Sequence, residues 1–96
     1  MTPRRAPPVL ALMTLLLAAC SAMPSPYRES CKNEVNAAWR ELDIAKAEGF
    51  AGGVSYTKAL SLITTARTMQ TVENFDGCIK NAQKARFYIS ESRAGR

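Results

Sequence analysis

The chain has 96 residues, with 13 Lys and Arg, 8 Asp and Glu and a formal net charge of +5. It contains no histidine, so it lacks the most common general base and the most common metal ligand of proteins. A chain of this length has room for one small domain, in which the hydrophobic core alone gives limited stability.

The first segment carries the three parts of an export signal. Arg4 and Arg5 form a positive start, residues 9–17 form an apolar core, and Ala18-Ala19 are small residues before a cleavage point. The apolar core is shorter than the ~20 residues that a membrane-spanning helix needs. The segment therefore favours export over a membrane span.

The motif Leu17-Ala18-Ala19-Cys20 resembles the lipobox of bacterial lipoproteins. In that family the signal is cut before the cysteine, which then receives several acyl chains and becomes a stable anchor. The resemblance implies that residues 1–19 are a signal peptide and that Cys20 is the lipid attachment site. It also implies transfer to the outer membrane, because Ser21 rather than Asp follows the cysteine. The alternatives are an ordinary secretory signal with a chance cysteine, or a buried helix.

Removing the signal also lowers the charge of the chain. Without Arg4 and Arg5 there remain 11 basic and 8 acidic residues, a net charge of +3. A mildly basic domain is compatible with anionic surfaces but does not require nucleic acid. We therefore expect no nucleic-acid partner.

The rest of the chain follows a polar, lipidated tether at residues 20–25 and has apolar residues at helical spacing. The first predicted helix covers about 26–48, with Ser25 as its cap and Gly49 as its terminator. Its apolar stripe consists of Tyr27, Cys31, Val35, Ala38, Leu42 and Ala45.

Two further helices are predicted, at about 55–71 and 75–93, with Ser55 and Asn74 as their caps. No segment alternates apolar and polar residues for long enough to indicate a strand. The sequence therefore predicts an all-α fold, a small antiparallel three-helix bundle over residues 26–93 after a cleaved signal peptide, with residues 94–96 frayed.

Two cysteines remain if Cys20 carries lipid. An even pair in an exported protein indicates a disulfide, and Cys31 and Cys78 lie near the starts of two helices that run parallel in such a bundle. Two reduced core thiols, a metal site and a redox site are the alternatives. A zinc site needs about four ligands and there is no Cys-x-x-Cys motif, so we expect no metal and no cofactor.

Residues 75–85 (Phe-x-x-Cys-x-x-x-Ala-x-x-Ala) are similar to the second helix of a tetratricopeptide repeat, and Tyr56 and Ala59-Leu60 match its first helix in part. A helical hairpin that obeys the same packing rules is the alternative. The whole chain resembles small helical lipoproteins of Gram-negative bacteria whose function is unknown, and that resemblance implies no activity.

No catalytic arrangement is evident in the sequence. Glu41 and Asp43 are two residues apart and point in different directions on a helix. Phe87 and Ile44 instead lie off the apolar stripes of their helices. We expect a docking face for another envelope protein, formed by Phe87 with Lys80 and Lys84 and by Ile44. Single exposed apolar residues are also common without a function.

In a second interpretation, the basic residues Lys80, Lys84 and Arg86 bind lipid phosphates or anionic glycans. Charged residues on a helix usually face solvent without binding a ligand.

The sequence thus predicts a non-enzymatic outer-membrane lipoprotein that faces the periplasm and acts as an accessory or assembly module through protein contacts. The alternatives are a chaperone role resembling the pilotins, small helical lipoproteins that guide secretin subunits, and a module that binds peptidoglycan or lipopolysaccharide.

Overall fold

The computed structural model describes residues 25–96, and three α-helices make up most of this part. Helix α1 spans Pro26–Ala47, α2 spans Val54–Thr71 and α3 spans Phe75–Arg93. The described part has no strand, and the predicted all-α, three-helix fold is confirmed. The predicted signal peptide, the lipid attachment site at Cys20 and the tether before Ser25 lie outside the described residues.

Capping residues fix both ends of α1 and the start of α3. The side chain of Ser25 accepts a hydrogen bond from the backbone N–H of Tyr27 at 3.2 Å. The side chain of Asn74 accepts one from the N–H of Gly77 at 3.1 Å. Gly49 follows α1 with a φ of 95°, a conformation that glycine adopts at little cost. These three positions act as the sequence predicts.

The start of α2 and the chain end differ from the expectation. Helix α2 begins at Val54 without a side-chain cap, so Ser55 lies inside the first turn. The Ser55 hydroxyl donates to the carbonyl oxygen of Arg96 at 2.7 Å, and the Arg96 N–H donates to the carbonyl oxygen of Glu91 at 2.8 Å. Residues 94–96, which were expected to fray, therefore have hydrogen bonds to the helices.

Helices α1 and α3 run parallel, as contacts at both of their ends show. Arg28 near the start of α1 pairs with Glu73, just before α3, at 3.6 Å. Glu48 directly after α1 pairs with Arg93 at the end of α3 at 2.7 Å. Helix α3 packs closely against both other helices, whereas α1 and α2 share a smaller contact. The bundle is therefore organised around α3.

The core is small and rich in alanine. Its buried hydrophobic side chains are six alanines, two cysteines and four larger aliphatic residues, namely Val35, Leu42, Ile63 and Ile89. Trp39 packs against both groups of buried side chains, one near each end of the bundle. Small side chains let the helices approach closely, but they also bury little apolar area and so limit the hydrophobic contribution to stability.

A disulfide between Cys31 and Cys78 joins α1 to α3. The two Cα atoms are 5.6 Å apart, inside the normal range for a disulfide, and both side chains are fully buried. This pairing confirms the prediction, which rested on an even pair of cysteines in an exported protein and on their similar height in parallel helices.

Candidate interaction face

A ladder of ion pairs runs along the seam between α1 and α3. Glu34 and Glu41 on α1 and Glu48 directly after it are spaced by seven residues, and so are Arg86 and Arg93 on α3. Seven residues are close to two helical turns, so each set lies along one side of its helix. The two helices are parallel, and the two sets therefore meet. We call these five residues the ion-pair ladder.

Arg86 is bound by two carboxylates of the ladder. Its Nε donates to both carboxylate oxygens of Glu41 at 3.1 Å, and its Nη2 donates to Oε2 of Glu41 at 2.9 Å. Its Nη1 donates to Oε1 of Glu34 at 2.9 Å. These hydrogen bonds, the ones with Glu41 first, raise the pKa of the Arg86 guanidinium. The planar guanidinium has the fork geometry that such paired bonds require.

Arg93 repeats the arrangement at the end of the seam. Its Nε donates to Oε1 of Glu48 at 2.7 Å and its Nη2 donates to Oε2 at 3.0 Å. The hydrogen bond from Arg93 lowers the pKa of the Glu48 carboxyl. Both this pair and the pair of Arg86 with Glu41 join residues that are 45 apart in sequence, so the ladder holds one constant register between the helices.

The ladder changes the interpretation of the basic residues on α3. The sequence grouped Lys80, Lys84 and Arg86 as candidate anion contacts, but Arg86 is bound by its two carboxylates. Lys80 has its Nζ 3.1 Å from Oδ2 of Asp76. Of the three, only Lys84 has no ion pair among residues 25–96.

Phe87 and Ile44 are exposed, with 56% and 46% of their surface accessible. The Phe87 ring meets the Tyr88 ring edge-on at a centroid distance of 5.2 Å. Lys84 and Lys80 precede Phe87 by three and seven residues, so all three share the outer side of α3.

A shallow depression beside Phe87 opens toward the ladder. Its lining residues are Glu34, Glu41, Gln83, Arg86, Phe87 and Ser90. Ile44 does not line this depression. The expected face is therefore a single aromatic side chain beside the ion-pair ladder, in which three carboxylates share two guanidinium groups, with lysines along the same helix and Ile44 set apart on α1.

Sequence reasoning missed the ladder and one contact on the other side of α3. The seven-residue spacing of the glutamates and of the two arginines was a visible signal for the ladder. Lys58 places its Nζ 4.8 Å from the centroid of the Tyr88 ring, a cation–π contact that joins α2 to α3. No sequence signal indicated this contact, because it depends on the relative rotation of two helices.

Comparison with known proteins gives no relative: no model of a protein family, no curated protein and no solved structure matches this chain. Among the helices of residues 25–96, none is long and apolar enough to cross a membrane. The same residues contain no cluster of three or more His, Cys, Asp or Glu side chains that could hold a metal ion.

Proposed function

We propose that this protein is a non-enzymatic lipoprotein of the outer membrane that faces the periplasm and acts through protein contacts as an accessory or assembly module. The observation that carries this proposal is a buried disulfide in a small helical domain that directly follows a lipobox-like motif ending at Cys20. Disulfides persist in oxidising compartments such as the bacterial periplasm and are rare in the cytosol. The Cys31–Cys78 pair therefore agrees with the export that the first residues indicate.

The length of the tether limits how the domain is presented. Ser25 follows Cys20 by five residues, which span at most about 18 Å when fully extended. A lipid on Cys20 therefore keeps the start of α1 and the turn between α2 and α3 near the membrane. Phe87 lies twelve residues after the start of α3, about 18 Å further along the helix. The aromatic side chain is thus presented on the side of the domain, within reach of a neighbouring envelope protein.

The surroundings of Phe87 resemble the centre of a protein contact. Aromatic side chains often supply most of the binding energy of an interface when a polar rim surrounds them. Phe87 stands beside the depression over Arg86, which pairs with both Glu34 and Glu41, so these three groups have a net charge of −1. Each charged group of this cluster has an ion-pair partner, so a protein that covers Phe87 does not bury an isolated charge, which would weaken binding.

The anchor is tested by the intact mass of the protein isolated from membranes of its native host. We expect the mass of residues 20–96 plus acyl groups, with a gain of two hydrogens on reduction of the Cys31–Cys78 bond. An unacylated chain in the soluble fraction would refute the anchor. It would leave the docking face to be tested separately.

The docking face is tested by Phe87→Glu, with Val54→Glu as the matched control. Both side chains are exposed, Val54 at 81%, so neither change should alter the helical circular dichroism spectrum. After cross-linking in the native envelope, we expect one specific adduct with wild type and Val54→Glu that Phe87→Glu does not form. An adduct pattern of Phe87→Glu that is identical to that of wild type would contradict the docking face.

A further inference from the structure

The groove between α2 and α3 contains hydrogen-bond donors that have no hydrogen-bond or ion-pair partner among residues 25–96. Its lining residues are Lys58, Ser61 and Leu62 of α2 with Lys84 and Tyr88 of α3. Two of these side chains are cations and none is a carboxylate. The groove therefore has a local positive charge that the rest of its wall does not balance.

The two lysines differ from most other cations near α3. Arg28, Lys80, Arg86, Arg93 and Arg96 each have a carboxylate partner. Lys58 and Lys84 have no ion pair within the described part of the chain.

The Tyr88 ring helps to position Lys58, and Lys84 lines the same groove. It holds the Lys58 ammonium at 4.8 Å from its centroid. Lys84 lies four residues before Tyr88, on the same side of α3. Both lysines thus line one groove beside the Tyr88 ring, and neither has an ion pair among residues 25–96.

Ser61 adds a hydroxyl to this set. Five threonines of α2 donate their hydroxyl groups to the carbonyl oxygen four residues earlier, and they are Thr57, Thr64, Thr65, Thr68 and Thr71. The Ser61 hydroxyl makes no such bond, nor any other among residues 25–96. It can therefore donate a hydrogen bond to a group that enters the groove.

We propose that this groove binds the phosphate group of a phosphate ester. Lys58 and Lys84 contact the phosphate oxygens and the Ser61 hydroxyl donates a further hydrogen bond. Two cations at one groove suit a dianionic phosphate better than a carboxylate, because charge-assisted hydrogen bonds strengthen with the charge of the acceptor group. All of these residues lie in α2 and α3, so the site does not depend on the lipid anchor, whereas Lys84 is shared with the expected docking face.

The probe for this site is inorganic phosphate, titrated into the full-length protein in a maltoside detergent and followed by amide and lysine NMR signals. We expect saturable shifts that are largest at the groove residues. Lys58→Gln and Lys84→Gln should each weaken binding about tenfold, the effect of losing one charge-assisted hydrogen bond. Lys32→Gln on α1 is the matched control, since Lys32 is also exposed and unpaired in the described part, and it should bind as wild type does.

Three results would overturn the proposal. The first is an absence of saturable shifts, and the second is equal shifts with sodium chloride at the same ionic strength. The third is a loss of affinity in Lys32→Gln as large as that in Lys58→Gln, because the effect would then come from net charge.

Two further probes identify the source of the phosphate. Glucose 1-phosphate binding that depends on Lys58 supports a soluble or glycan-borne ester. Binding to phosphatidylglycerol vesicles that depends on Lys58, with no binding of glucose 1-phosphate, assigns the same site to a lipid headgroup.

Discussion

Reduction of the Cys31–Cys78 disulfide should lower the free energy of unfolding by about 4 kcal/mol. The cysteines are 47 residues apart, and the chain-entropy model gives about 4 kcal/mol for a loop of this length at 25 °C. A folded part that covers residues 25–96 has a typical total stability of about 4–11 kcal/mol. The disulfide thus accounts for a large share of the stability.

The composition of the core explains why the effect should be so large. Only Val35, Leu42, Ile63 and Ile89 are larger aliphatic residues among the buried hydrophobic side chains. Full burial of one such side chain stabilises a protein by about 1.5–3 kcal/mol. Loss of the disulfide should therefore lower the free energy of unfolding by as much as the loss of roughly two of these four side chains.

The assay is urea unfolding followed by helical circular dichroism, with and without reductant. Reduction keeps both sulfur atoms in the core, so it isolates the covalent constraint, whereas Cys31→Ala/Cys78→Ala also leaves cavities and should be less stable still. The m-value should rise on reduction because the unfolded chain becomes more expanded. A reduced protein within about 1 kcal/mol of the oxidised one would show that the chain-entropy argument does not hold for this domain.

Three further substitutions test the polar contacts. Arg86→Met should lower the free energy of urea unfolding by about 1–2 kcal/mol, because it leaves two partly shielded carboxylates unpaired; a loss no larger than that of Lys32→Met would refute this. Asn74→Ala removes the side-chain cap of α3 and should lower the free energy of unfolding by about 1 kcal/mol. Asn74→Asp keeps a capping oxygen and should have the thermal midpoint of wild type. Arg93 lowers the pKa of Glu48 below its ordinary 4.5 in the folded state, so this stabilisation is complete above that pH and is lost as the pH falls through the folded-state pKa. The stability difference between wild type and Arg93→Gln should therefore shrink as the pH falls below 4.5, and a constant difference would contradict the assignment.

The fold was predictable because apolar residues that alternate in steps of four and three lie on one side of the chain only when the chain is helical. Five of the six stripe residues named for the first helix are buried, from Cys31 to Ala45. Tyr27, the sixth, is 61% exposed because it lies in the first turn, at the end of the bundle. Periodicity gives the direction of a side chain, but it does not give the length over which neighbouring helices cover it.

The pairing of charged residues was less predictable, because it depends on which helices are neighbours. Lys80 has a partner four residues earlier, Asp76, and that pair is visible in the sequence. The sequence alone does not show that Arg86 is paired, because its partners Glu41 and Glu34 lie 45 and 52 residues away on α1. Whether a basic side chain on α3 is ion-paired therefore depends on the relative rotation of α1 and α3. Because the sequence does not give this rotation, Arg86 was grouped with Lys84.

The side of α3 that packs on α1 and the side that packs on α2 have separate physical roles, so stability and phosphate binding can be tested independently. The disulfide and the ion-pair ladder both join α1 to α3, so a change at Cys78 or Arg86 acts first on stability. Lys84 and Lys58 face the groove between α2 and α3 and have no described ion pair to lose, so their replacement removes charge without breaking a salt bridge. A loss of phosphate affinity at these lysines with an unchanged unfolding midpoint therefore reports on binding, whereas any binding effect of Arg86 has to be corrected for its effect on folding.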